Sequence, residues 1–139
     1  MTDIRQAIAA DIPVMHHIRS TVTENALSDP GRLSERDYFP FVDAGSAWVA
    51  ESTEAVIGFA ALDASSGNVW ALFVEPGAQQ FGVGRALHDH MLAWARDQGL
   101  QRLWLTTGPA TRAEGFYRRS GWQEANRTDN GEIRFERTL

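Results

Sequence analysis

An apolar run, Val69 to Val74, breaks at Glu75-Pro76-Gly77 and gives way, after Ala78-Gln79-Gln80-Phe81, to a helical pattern that starts near Gly82. This join constrains the fold more than any other stretch of the chain. A strand that ends in a Pro- and Gly-rich turn ahead of a helix leaves several backbone N–H groups pointing outward at the helix start. Those groups, together with the positive end of the helix dipole, suit a phosphate or pyrophosphate. Gly82 and Gly84 let such a ligand approach the main chain with no Cβ in the way.

Three kinds of phosphate loop compete for the segment. A P-loop needs Lys-Ser/Thr after its last glycine, and Arg85-Ala86 stands there. A dinucleotide fingerprint needs a third glycine, where Leu87 stands, and an acidic residue about 20 residues on at a strand end. The third pattern, Gln-x-x-Gly-x-Gly, runs from Gln79 to Gly84. It resembles the pyrophosphate loop of the GNAT superfamily, the acyl-CoA-dependent N-acyltransferases. A plain strand-to-helix turn would also use glycines, so the loop alone does not decide the matter.

A second segment, Thr111-Arg112-Ala113-Glu114-Gly115-Phe116-Tyr117-Arg118-Arg119-Ser120-Gly121-Trp122, is similar to the other signature of that family, Ala-x-x-aromatic-Tyr followed by Gly-aromatic. Ala113 and Tyr117 are spaced i, i+4 and share a helix face, which Phe116 borders. Gly121 reads as the left-handed residue that ends the helix. The family usually has an Asn shortly before the Ala, and this chain departs from that with Thr107-Gly108-Pro109-Ala110. The resemblance covers about residues 47–139.

The chain has 139 residues, enough for one domain, 1–139, around one core. At 43% hydrophobic residues a folded globular protein is expected. With no cysteine there is no disulfide, thiolate metal site or Cys acyl-enzyme, which fits a reducing cytoplasm. A net charge of −5 argues against broad nucleic-acid binding. No apolar stretch reaches the ~18 residues of a membrane span.

Periodicity gives the elements. Ile4 to Ile8 reads as a first strand. Asp11 is placed to cap a helix with Pro13 in its first turn and a Met15, Ile18, Val22 stripe. Ser34 and Asp37 form a capping box ahead of a short helix carrying Tyr38, Phe39, Phe41 and Val42, interrupted by Pro40. Ala47 to Glu51, Val56 to Asp63 and Val69 to Val74 make an antiparallel meander. Gly82 to Gln98 is the longest helix, with an apolar stripe of Val83, Leu87, Met91, Trp94 and Ala95. Arg102 to Thr107 follows as a strand parallel to the fourth. Thr111 to Ser120 is the last helix, and a hairpin around Asp129-Asn130-Gly131 closes the chain.

The order βααβββαβαββ is that of the GNAT fold. The resemblance implies an α/β (α+β) domain with a mixed, mostly antiparallel sheet of about seven strands and about four flanking helices. In it the parallel strands 4 and 5 splay, and the main chain of Leu72, Phe73 and Val74 pairs with the pantetheine arm of acetyl-CoA. The resemblance assigns cofactor contacts to Gln79, Gln80, Phe81, Gly82, Val83, Gly84, Arg85, Ala113 and Phe116, and makes Tyr117 the group that assists the thiolate leaving group. It implies no metal, an amine acceptor on a small molecule or peptide, and is compatible with a homodimer.

For the base that neutralises the amine, the fourth strand offers no carboxylate. Glu24, Asp37 and Glu51 are candidates through water, and His16 and His17 lie on the first helix. Arg118-Arg119 could reach cofactor phosphate, and Trp70 could line the acceptor pocket. His88-Asp89-His90 invites a metal reading, but i, i+2 spacing points the two imidazoles to different faces, so a solvated patch is expected. The 27–46 region, with Asp29, Glu35, Asp37 and Asp43, is expected to line the amine site. A non-catalytic acyl-CoA sensor of the same fold is the alternative to an enzyme.

Overall fold

A computed structural model describes residues 2–22, 33–53 and 55–139, except for the side chains of Gln80 and Phe81. Seven strands form one sheet: β1 (Asp3–Gln6), β2 (Ala47–Glu51), β3 (Val56–Asp63), β4 (Asn68–Val74), β5 (Arg102–Thr107), β6 (Gln123–Arg127) and β7 (Ile133–Thr138). Their order is β1-β2-β3-β4-β5-β7-β6, antiparallel except for the β4–β5 pair. The helices are α1 (Ile12–Thr21), α2 (Phe39–Asp43), α3 (Val83–Asp97) and α4 (Arg112–Arg119). The strand and helix order matches the sequence expectation, and most boundaries agree within two residues.

Two local expectations change in detail. Asp11 does not cap α1. Its carboxylate accepts the Ile8 N–H at 2.8 Å and two bonds from the Arg5 guanidinium at 2.8 and 3.0 Å, so it closes the short 3-10 turn Ala9–Asp11 ahead of the helix. Burial pushes that carboxyl up, but Arg5 and the Ile8 N–H together hold it below the usual value. Pro40 does not interrupt a helix. A 3-10 turn, Glu35–Tyr38, runs into α2, and Pro40 sits in the first turn of α2, where its missing N–H is not needed. The Ser34–Asp37 cap forms as read, with the Ser34 N–H donating to Asp37 at 2.7 Å.

The sheet carries a core on each face. On one, Leu87, Met91, Leu92 and Ala95 of α3 pack on Trp48, Leu62, Leu103 and Phe135, with Tyr117 and Trp122. On the other, Ile12, Met15, Ile18 and Val22 pack with Tyr38 on Val49, Phe59, Ala71 and Phe73. β4 passes between them with a break in register: Ala71 faces Ala61 across the β3 pair, Val69 faces Leu62, and Trp70 is the extra residue. The bulge puts Trp70 and Ala71 on the same side. Leu72 and Val74 then join the α3 face and Phe73 the α1 face.

β4 and β5 meet in one register pair, Asn68↔Trp104. The Trp104 N–H donates to Gly67 O at 2.9 Å, and Gly67 has φ +77° with Arg102 O only 2.7 Å from where a Cβ would stand. Glycine is therefore required at this corner. Beyond Asn68 the strands part, and among the described residues no strand pairs with the side of residues 69–74 that faces β5.

Candidate active site

A cavity of about 390 Å³ opens beside that unpaired stretch. Leu72, Phe73 and Val74 line it from β4, Gln79, Gly82, Gly84 and Arg85 from the following turn and the start of α3, and Ala113, Phe116 and Tyr117 from α4. The structure thus gathers ten residues singled out in the sequence around one space. Val83 is different: its side chain is buried in the core. The side chains of Gln80 and Phe81 lie outside the described set.

The turn is a 3-10 segment, Pro76–Phe81, ended by Gly82 at φ +76° immediately before α3. A Cβ on Gly84 would stand 3.6 Å from Val74 Cγ2 and 3.9 Å from Phe116 Cε1, so a larger branched side chain there would enter the gap between strand and helix. Gln79 has a defined role. Its Nε2 donates to Val74 O at 3.2 Å, and its Oε1 accepts from Arg112 Nε at 3.0 Å. One amide side chain therefore ties the end of β4 to the start of α4.

The N-terminus of α4 is capped by Thr111 Oγ1, which accepts the Glu114 N–H at 3.2 Å. Glu114 in turn accepts the N–H of Ala110 at 2.7 Å, steadying a residue at φ +60° in the stretch that departs from the family pattern. Gly121 ends the helix at φ +89°, as expected. Tyr117 is 6% exposed, with its ring edge-on to Phe116 and Trp122 at centroid distances of 5.3 Å. Burial pushes its phenol well above the usual value, and no described residue hydrogen-bonds to its hydroxyl. A phenol held this far above its usual value stays neutral, and Tyr117 is among the residues that line the cavity.

Sequence reasoning missed Val22, Arg112 and the weight of positive charge. Arg85, Arg112 and Arg119 all line the cavity, and no carboxylate is among its described lining residues. Of the adjacent pair, Arg119 faces the cavity while Arg118 is held by Glu114 and Glu124 at 2.9 and 2.6 Å. Arg112 carried a readable signal, since it opens a helix whose N-terminus lies across from the glycine turn.

His88 overturns the solvated-patch expectation. It is 1% exposed; its Nε2 accepts the Trp122 Nε1–H at 2.9 Å and its Nδ1 lies 2.9 Å from Asp89 Oδ1. Burial lowers its pKa against the pull of Asp89, which leaves a neutral ring bridging α3 to Trp122, just before β6. Helical spacing did put His88 and His90 on different faces, but the apolar stripe is wide enough to include His88.

Among the described residues, none of the candidate bases lines the cavity. Glu51 pairs with Arg5 at 3.2 Å, Asp37 holds the Ser34 N–H, His16 Nδ1 lies 3.0 Å from the Tyr38 hydroxyl, and His17 is exposed. Glu24 and Asp29 lie outside the described residues. Trp48 is core, whereas Trp70 is half-buried beside Tyr38 and stacked on Phe41 at 4.5 Å. Among the described residues no helix is long and apolar enough to cross a membrane.

The model of the Acetyltransferase (GNAT) family matches residues 12–122. The chain belongs to this family. Its fold is close to that of Ard1 from Thermoplasma volcanium, with a TM-score of 0.85, 20% identity and coverage of 99% of this chain and 97% of that one. The PaiA N-acetyltransferase from Thermoplasma acidophilum, solved in complex with coenzyme A, superposes with a TM-score of 0.83 at 14% identity, covering 100% of this chain and 99% of that one. A mycothiol acetyltransferase from Beutenbergia cavernae is 43% identical over 61 residues, 43% of this chain and 20% of that protein. That alignment spans about a fifth of this curated relative's length.

Proposed function

We propose that this chain is an N-acetyltransferase that moves an acetyl group from acetyl-CoA to a primary amine of a small molecule or peptide, by direct attack in a ternary complex. The observation that carries this reading is one cavity bounded by an unpaired strand edge, a glycine turn at a helix start, and Tyr117, whose hydroxyl has no hydrogen-bond partner among the described residues. The residues fit the cosubstrate. The open side of Leu72 to Val74 offers main-chain groups to the amides of the pantetheine arm. Gly82, Gly84 and Arg85 offer N–H groups and a guanidinium to the pyrophosphate, with Arg112 and Arg119 adding positive charge.

Acetyl-CoA supplies a thioester whose carbonyl accepts the amine and whose sulfur leaves as a thiolate. The main chain near Leu72 polarises that carbonyl as an oxyanion hole does. Tyr117 donates a hydrogen bond to the sulfur as charge builds on it. An alkyl ammonium with a pKa of about 10.4 must lose a proton before attack. The apolar walls of Phe73, Phe116 and Val22 lower that value by desolvation, and the proton leaves through water rather than to a lining carboxylate.

The absence of a carboxylate among the described lining residues also suits a second reading, a non-catalytic acyl-CoA sensor of the same fold. Thiol release from acetyl-CoA with a panel of amines, amino acids, peptides and aminoglycosides separates the two. CoA binding with no acceptor-dependent thiol release across that panel would leave the sensor. By the same reading the chain is one domain, works in the cytoplasm and has no metal.

A further inference from the structure

The guanidinium of Arg19, on α1, stacks over Trp70 and Phe73 with its central carbon 4.6 and 4.9 Å from the two ring centroids. Its Nε and Nη1 are buried, and neither has a hydrogen-bond partner among the described residues. Burial lowers its pKa, yet a guanidinium keeps its charge at neutral pH. Tyr38, whose hydroxyl accepts a hydrogen bond from the guanidinium, is fully buried with its own pKa pushed up to about 12 by that burial, so it supplies no anion. Two aromatic rings lie against the guanidinium and Tyr38 takes part of its hydrogen bonding, while Nε and Nη1, the edge that would pair with a carboxylate, are left unused. An unpaired charged donor in such a place is costly.

The position explains what the charge is for. Arg19 lies in the last turn of α1, and Val22, the residue just past the end of that helix, lines the cavity. Phe73 belongs to both places: it lines the cavity and lies under the guanidinium. The bulge at Trp70 is what brings Trp70 and Phe73 to this side of the sheet together.

We propose that Arg19 is the binding residue for a carboxylate on the acceptor, so that the substrate is a small amine that also carries a carboxylate. This rests on the acetyltransferase reading above and narrows its substrate class. The amine points toward the Phe73 end of the cavity, and the carboxylate meets the guanidinium. Glu35 and Asp43, from the region expected to line the amine site, are exposed to solvent.

The test uses acceptor pairs that differ only in that carboxylate: free amino acids against their primary amides, and short peptides as acids against the same peptides amidated. CoA binding is measured first by calorimetry. Wild-type protein should turn over the acid member of at least one series with kcat/KM on the order of tenfold to a hundredfold above its amide. The series that shows the preference identifies free amino acid or peptide as the source. Arg19→Met, which keeps a long apolar stem over Trp70, should bring that ratio close to one while amide turnover and CoA affinity hold. Arg19→Lys should recover part of it, because charge returns without the planar fork.

Equal turnover of acid and amide by wild-type protein overturns the proposal, as does an Arg19→Met variant that slows both members alike. If CoA binds but no pair turns over, calorimetry of the acids on CoA-loaded protein decides: acids that bind wild type but not Arg19→Met support the proposal, and any other result overturns it. Failure to bind CoA is a distinct result that removes the acetyltransferase reading itself.

Discussion

Tyr117→Phe isolates one atom. The ring stays between Phe116, Trp122 and Phe135, so packing is conserved. The lost hydroxyl has no hydrogen bond to a described residue, so its removal breaks no native bond. Stability should change by less than about 1 kcal/mol, a melting shift of at most a few degrees. Catalysis should change much more. Even at ordinary values, proton transfer from a phenol to a thiolate is uphill by ~1.5 units, roughly 2 kcal/mol. Burial raises the phenol further, which makes full transfer costlier still. What remains is a hydrogen bond to a developing negative charge, worth about 1.5–3 kcal/mol, or roughly 10- to 100-fold in kcat. The assay pairs acceptor-dependent thiol release with CoA calorimetry and thermal melts. A wild-type kcat in the variant would make Tyr117 a packing residue. A melting loss of many degrees, or a loss of CoA affinity equal to the loss in rate, would show that the hydroxyl acts in the ground state.

Three other perturbations test the surroundings. Gly84→Val should weaken CoA binding at least tenfold with a native far-UV spectrum, since it fills the gap between Val74 and Phe116; it is a cleaner probe than Gly82→Val, which would also strain a backbone at φ +76°. Unchanged CoA affinity in the folded variant removes the glycine turn from the binding site. His88→Leu should cost about 1–3 kcal/mol in denaturant melts, because the buried Trp122 N–H loses its acceptor. Because burial depresses His88 in the folded state, its contribution is present above the ordinary value near 6.5 and is lost as pH falls below it. Wild-type stability should therefore drop across that acid range more steeply than that of His88→Leu, and parallel curves would assign the drop to other groups. Gly67→Ala should destabilise by about 1–2 kcal/mol from its left-handed backbone alone, and an unshifted melt would show that the corner between β4 and β5 tolerates a Cβ.

The elements were legible because each carries its own punctuation. Gly121 at the end of α4, the Asn130-Gly131 turn and the Ser34–Asp37 cap are local signals, and local geometry settled them. Leu72 to Val74, Gln79 and Tyr117 were reached through two motifs, and the fold brings them to one cavity. Arg19 was not legible at all. Its meaning depends on a bulge that turns Trp70 and Phe73 to one face, and no periodicity along α1 reports what a neighbouring strand does. Asp11 misled for a similar reason: it has the right identity and place for a cap, but Arg5 is a stronger partner. His88 was misjudged because its polarity was weighed before its partner, Trp122, 34 residues away, could be known.

The sheet has a seam. Strands β1 to β4 form one panel and β5, β7 and β6 another, and along the sheet the panels are fastened at the corner where Trp104 meets Gly67 and Asn68. Elsewhere they are joined by side chains, chiefly the row on α3 that packs on Trp48 and Leu62 of one panel and Leu103 and Phe135 of the other. Main-chain hydrogen bonds resist shear in a way that apolar contacts do not. Mechanical load across the sheet should therefore open the panels from the free end toward Gly67, like a book from its fore-edge, before it disturbs either panel. A ligand lying along β4 would act as stitching in that seam, and its grip would be felt as stiffness of the whole domain.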